Sequence, residues 1–155
     1  MSLNKPKKKN YYRRNKSNIL LLVLLVMIAY LCFYYDVFQT LSVETDFHVR
    51  ILTINSVFAG FLFTSLGIMI SILDKERILK LDKAGYMDNY FNAIYIGLFF
   101  HVLSISMSLL LIIIPGIDNH GFLIRTEQIF LFMGVSFFVK SIINVLNIIK
   151  MVRQG

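Results

Sequence analysis

Four long apolar runs organise the chain: Ile19–Tyr35, Ile51–Leu73, Phe91–Ile114 and Ile129–Ile149. At 1.5 Å of rise per residue each is long enough, or nearly so, to cross a hydrocarbon layer of about 30 Å as a helix. The pattern therefore predicts an all-α fold, an integral membrane four-helix bundle. A basic head occupies residues 1–18, the four-helix domain 19–149 and a short tail 150–155. The connections between runs read as turns. Asp46 and Asp88 are placed to cap the second and third helices, and Pro115-Gly116 ends the third. The stretch Asp74–Lys83 lacks a helix breaker, so the second helix is expected to continue about two turns past its apolar run.

Polar positions inside the runs show which faces meet. In the second run Thr53, Ser56, Gly60, Thr64, Gly67 and Ser71 recur every three or four residues, a narrow stripe of small side chains that lets two backbones approach closely, within the chain or between copies. In the third run Gly97, His101, Ser104 and Ser108 fall on one face. In the fourth, Ser136, Lys140, Asn144 and Asn147 do the same. Polar groups in hydrocarbon turn toward protein or water. These two faces are thus expected to meet in a polar interior or to line a path. For Lys140 two placements stand open: the bundle interior, or lipid phosphates at the membrane surface. The first run is almost featureless from Ile19 to Ala29 and is expected at the periphery.

Composition strengthens this reading. Of 155 residues, 57% are apolar and 16% charged, against about 45–50% and ~25% in ordinary soluble domains. Too little chain lies outside the runs to bury a second core, so a separate soluble catalytic domain is excluded. The net charge of +7 is unevenly spread. Lys5, Lys7, Lys8, Lys9, Arg13, Arg14 and Lys16 crowd the head, and Lys75, Arg77, Lys80, Lys83, Lys150 and Arg153 lie on the same side of a four-span chain; Arg50 and Arg125 lie on the other. Basic loops stay in the cytoplasm, which predicts a multi-pass protein of the inner (plasma) membrane with both termini cytoplasmic. The head then serves as a topology anchor against anionic lipid, with no nucleic acid as partner.

Candidate chemistry is sparse. No HExxH, GxSxG or phosphate-cradling glycine loop occurs, so no enzyme and no catalytic residue is expected. The single cysteine, Cys32, excludes an internal disulfide. With His48 and His120 assigned to outer loops, His101 has no second ligand in its span, and neither a metal nor another cofactor is expected. No carboxylate falls within any of the four runs.

The stretch Phe61–Gly97, with a small-residue helix, a charged extension, a Gly-Tyr turn and immediate re-entry, resembles small four-span bacterial membrane proteins, among them membrane components of anti-phage defence systems of the Kiwa type. The resemblance covers about a quarter of the chain. It implies a non-enzymatic, oligomeric sensor or effector working with a cytosolic protein partner. Lys75, Arg77, Lys80 and Lys83 on the charged extension are the candidate contacts for that partner or for lipid. The alternative is a small channel or transporter subunit with a polar path around Lys140 and His101. A bacteriocin-immunity role also stays open.

Overall fold

The computed structural model describes residues 11–38, 45–71, 73, 76–83, 86–114 and 121–154. Among them every regular element is helical: α1 (Tyr11–Arg14), α2 (Lys16–Tyr34), α3 (Thr45–Ser71), α4 (Glu76–Lys83), α5 (Tyr86–Ile113) and α6 (Gly121–Gln154). Four of these, α2, α3, α5 and α6, are long and apolar enough to cross a membrane. The apolar runs located them correctly but understated their length, because α3 and α6 begin six and eight residues before Ile51 and Ile129.

The core is built on a seven-residue repeat, two helical turns that return a side chain to nearly the same face. On α5 Met87, Ile94, His101 and Ser108 are all buried; on α3 the matching series is His48, Asn55, Leu62 and Met69, and on α6 it is Glu127, Gly134, Ser141 and Ile148. The helices are antiparallel from α3 to α5 and from α5 to α6, so the three series interleave into layers about 10 Å apart. Two of the layers are polar, His48 with Ser108 and Glu127, then Asn55 with His101 and Gly134. Leu62, Ile94 and Ser141 follow, and Met69, Met87 and Ile148 close the end at which α2 begins, packed with Tyr90 and Ile78. Gly97 sits between layers where α5 comes close to both partners: a Cβ there would lie 3.0 Å from Leu62 Cδ1 and 3.3 Å from Phe137 Cβ.

α2 is the outlying helix. Only Asn18 and Leu25 of its residues are buried, as its uniform Leu, Val and Ile content predicted. It ends in a Schellman motif, with Asp36 N–H donating to Phe33 O and Val37 N–H to Cys32 O. The motif needs a left-handed residue after the cap, and Asp36 supplies it at φ 50°. The Asp36 carboxylate also pairs with Arg125 of α6, whose guanidinium lies over the Phe33 ring. The cost of the conformation is thereby tied to an inter-helix contact.

Outward faces carry large apolar side chains such as Val26, Phe61, Phe63, Phe99 and Leu146. The hydroxyls among them are internally satisfied. Thr53, Ser56, Thr64, Ser106 and Ser136 each donate to the carbonyl four residues earlier on their own helix, at 2.8–2.9 Å. A surface with hydroxyl protons turned back into the backbone suits hydrocarbon better than water.

Two expectations are corrected. The second helix does not continue through Asp74–Lys83: α3 stops at Ser71 and a separate α4 begins at Glu76. Its Ile78 is buried in the core rather than free for lipid. Asp46 and Asp88 lie inside the first turns of α3 and α5 instead of at cap positions, bonding Arg50 and Arg14 respectively. Tyr90 is fully buried, with its hydroxyl 2.5 Å from Ser65 Oγ. The turn Pro115–His120 lies outside the described residues.

Gly97 and Gly60 have equal helix propensity and opposite surroundings, since a Cβ at Gly60 would meet nothing within 4 Å. Gly97→Leu should overpack the bundle at a cost of about 1–3 kcal/mol, and lower the temperature at which detergent-solubilised monomer aggregates. Gly60→Leu should leave that temperature unchanged or raise it. A heat-and-sediment series on both variants checks the contrast.

Candidate functional site: a buried polar network

Glu127 is the centre of the site. It lies two turns into α6 with no exposed surface, and three side chains converge on it. Ser108 Oγ donates to Oε1 at 2.5 Å, His48 Nδ1 stands 2.8 Å from Oε2, and Ser104 Oγ donates to its backbone carbonyl at 2.9 Å. The network continues one layer deeper. Asn55 donates from Nδ2 to Ser104 Oγ at 2.8 Å and to Ile51 O at 3.0 Å, and its Oδ1 lies 2.7 Å from His101 Nδ1.

These bonds fix a tautomer. A backbone carbonyl only accepts, so the atom of Asn55 facing Ile51 O must be the amide nitrogen, and its oxygen must face His101. His101 Nδ1 therefore carries the hydrogen. The ring is held on its other sides by Phe58, stacked at a centroid distance of 5.7 Å, and by Gly134. A Cβ at Gly134 would fall 2.7–2.9 Å from three atoms of the imidazole. Glycine at 134 is what gives the ring room.

The sequence-predicted residues divide accordingly. Gly97, His101, Ser104 and Ser108 are buried on one face of α5, as their spacing required. The α6 set does not join them. Ser136 bonds its own helix and Asn147 is exposed. Asn144 Nδ2 donates to Asn89 O at 3.3 Å near the start of α5, within a cluster where Asn18 reaches the same carbonyl at 2.9 Å and Asn92 bonds Asn15 at 2.8 Å. Lys140, half-buried, bonds Ser17 Oγ in the first turn of α2. It thus belongs to the end of the bundle where the basic head enters, and the polar path joining it to His101 is not formed. The α3 stripe, Thr53, Ser56, Gly60, Thr64, Gly67 and Ser71, is exposed along its whole length on the side of α3 opposite its buried series. Among the described residues nothing lies within 4 Å of a Cβ built at Gly60 or Gly67. On the charged extension Lys83 is exposed on α4; Lys75 and the side chains of Arg77 and Lys80 lie outside the described residues.

Sequence reasoning missed His48, Asn55, Glu127 and Gly134. His48 and Glu127 precede the apolar runs yet lie inside α3 and α6, so the expectation of spans without a carboxylate is corrected by Glu127. The signal that locates them is the seven-residue spacing His48–Asn55–Leu62–Met69 and Glu127–Gly134–Ser141–Ile148. Among the described residues no group of three or more His, Cys, Asp and Glu side chains gathers to hold a metal ion. Chemically the site is a buried acid and two imidazoles joined through hydroxyls and one amide, able to store or shift a proton and to lock three helices in register.

Comparison with family models, curated proteins and solved structures finds no match to this chain.

Removing one member of a buried pair strands the other, whereas replacing both with apolar groups is tolerated. His48→Leu should therefore destabilise by about 3–5 kcal/mol, and His48→Leu combined with Glu127→Leu should recover most of the loss. Thermal stability of the two singles and the double in one detergent closes the cycle, and additive losses would show that the pair is not coupled.

Proposed function

We propose that this chain is a non-enzymatic integral membrane protein of a bacterial inner membrane, with both termini in the cytoplasm, acting as an oligomeric sensor or effector with a cytosolic partner. The observation that carries the reading is the division of polar groups between inside and outside. The titratable groups of the His48–Glu127–His101 network are spent on joining α3, α5 and α6, while the small-residue face of α3 and Lys83 of α4 are exposed. An acid and imidazoles held in a membrane bundle respond to protonation or to a shift of one helix, which is what a sensing element requires. An outward face of small residues suits close association of copies. The outward apolar surface supports insertion, and thirteen basic residues against two support the orientation.

The channel reading, with a polar path around Lys140 and His101, is disfavoured by the contact of Lys140 with Ser17, about one layer from Asn55 and His101, whose own partners are each other and Ser104. The resemblance of 61–97 to anti-phage membrane components names the biological setting to examine first.

Purified protein in vesicles is expected to pass neither protons nor chloride under a voltage, and to run as an oligomer whose mass falls in Gly60→Leu. In cells carrying the gene with its neighbours, Glu127→Gln should abolish phage protection while leaving membrane insertion intact. Ion flux that disappears in Glu127→Gln would replace this reading with the conducting one.

A further inference from the structure

Between the parallel helices α3 and α6 lies an open cleft of about 620 Å³. Ile51, Ile54, Leu131, Phe132 and Val135 form its walls, and Phe38, beyond the end of α2, borders it. Arg50 and Gln128 are its polar lining residues, and both stand at the end where α3 and α6 begin. From Gln128 to Val135 is seven residues, about 10 Å along the helix axis. Both polar groups thus stand at one end of the cleft, beside Phe38 and Phe47, while Ile54, Phe132 and Val135 lie toward the middle of the helices.

We propose that this cleft is a binding site for an anionic phospholipid, with the phosphate on Arg50 and one acyl chain along Ile54, Phe132 and Val135. Four observations select that occupant. The cleft is lined mostly by residues of two candidate membrane spans, where the surrounding medium is hydrocarbon rather than water. Its size falls within the ~300–1,000 Å³ range of ligand pockets, which are mostly apolar with a few placed polar groups. Its polar-to-apolar direction matches that of a lipid entering from the surface. The Arg50 side chain is three-quarters exposed and tilts toward the helix N-terminus, the end of the span, as all helical side chains do. Its present partner is Asp46, with Arg50 Nη2 at 2.6 Å from Oδ2 in an exposed i,i+4 pair. Such pairs contribute little stability, so a phosphate can take the guanidinium in exchange. The site stands apart from the sensor reading and does not depend on it.

The chain contains no tryptophan, so Phe132→Trp introduces a single fluorophore in the cleft wall. Its quenching is measured in vesicles of phosphatidylcholine doped with brominated phosphatidylglycerol or brominated phosphatidylcholine at equal mole fraction. The anionic lipid should associate about fivefold more strongly, as expected for one basic residue at a surface. Arg50→Gln should abolish the preference. Asp46→Asn, which removes the competing carboxylate, should increase it. Equal quenching by both lipids with Arg50 intact, or a preference that survives Arg50→Gln, overturns the proposal. Protection from both lipids that grows with protein-to-lipid ratio would assign the cleft to a second copy of the chain and equally overturn it.

Discussion

A carboxylate with no exposed surface inside a helical bundle constrains everything around it. Desolvating an ion costs several kcal/mol even after relaxation, and only well-placed partners offset that cost. The Glu127 carboxylate has two, His48 from α3 and Ser108 from α5, and Ser104 of α5 donates to the backbone carbonyl of the same residue. Because the partners come from two other helices, satisfying this one group sets the height of α3 and α5 against α6. With a seven-residue repeat on each helix, that single alignment brings every later layer into place, down to Met69, Met87 and Ile148.

The order of the layers matters as much as their register. Apolar side chains in lipid gain little by leaving it for one another, so helix association in a membrane relies on close packing and on hydrogen bonds between helices. Both devices are present and spatially separated. Hydrogen bonds hold the end at which α3 and α6 begin, close approach at Gly97 and Gly134 serves the middle, and the opposite end combines Met and Ile packing with the Tyr90–Ser65 contact and the asparagine cluster. α2 shares only the last of these in depth. It is tied at its start by Asn18 and by Arg14 to Asp88 at 2.7 Å, and at its finish by Asp36 to Arg125. Between these ties Leu25, flanked by Leu21, Leu22, Ala29 and Phe33, packs with Ala93, Phe100, Ile129, Met133 and Phe137.

The same polar residue types play opposite parts on the two sides of α3. Inward, Asn55 bonds across helices; outward, Thr53, Ser56 and Thr64 return their protons to their own backbone. A hydroxyl can be silenced in this way and an amide or a carboxylate cannot. Small hydroxyl residues can therefore occupy a lipid-facing or copy-facing surface, while Asn55, His101 and Glu127 have to be buried.

Four spans, an all-helical chain, a peripheral first helix and a one-sided polar face on α5 were legible from the residues, because hydropathy and helical periodicity are local properties. The apolar run is a poor guide to where a helix starts, since helices continue past it wherever polar side chains find partners on neighbouring helices. That is why His48 and Glu127 lie outside the apolar runs and inside the helices. Lys140 shows the converse: four polar residues at helical spacing on α6 look like one site, yet Lys140 reaches Ser17, Asn144 reaches Asn89, and Asn147 is exposed. Sequence alone determined which segments are helical and which faces carry polar groups. Which polar groups meet was decided only in the tertiary structure, because a hydrogen bond depends on the relative height of two helices, a quantity that no single helix encodes.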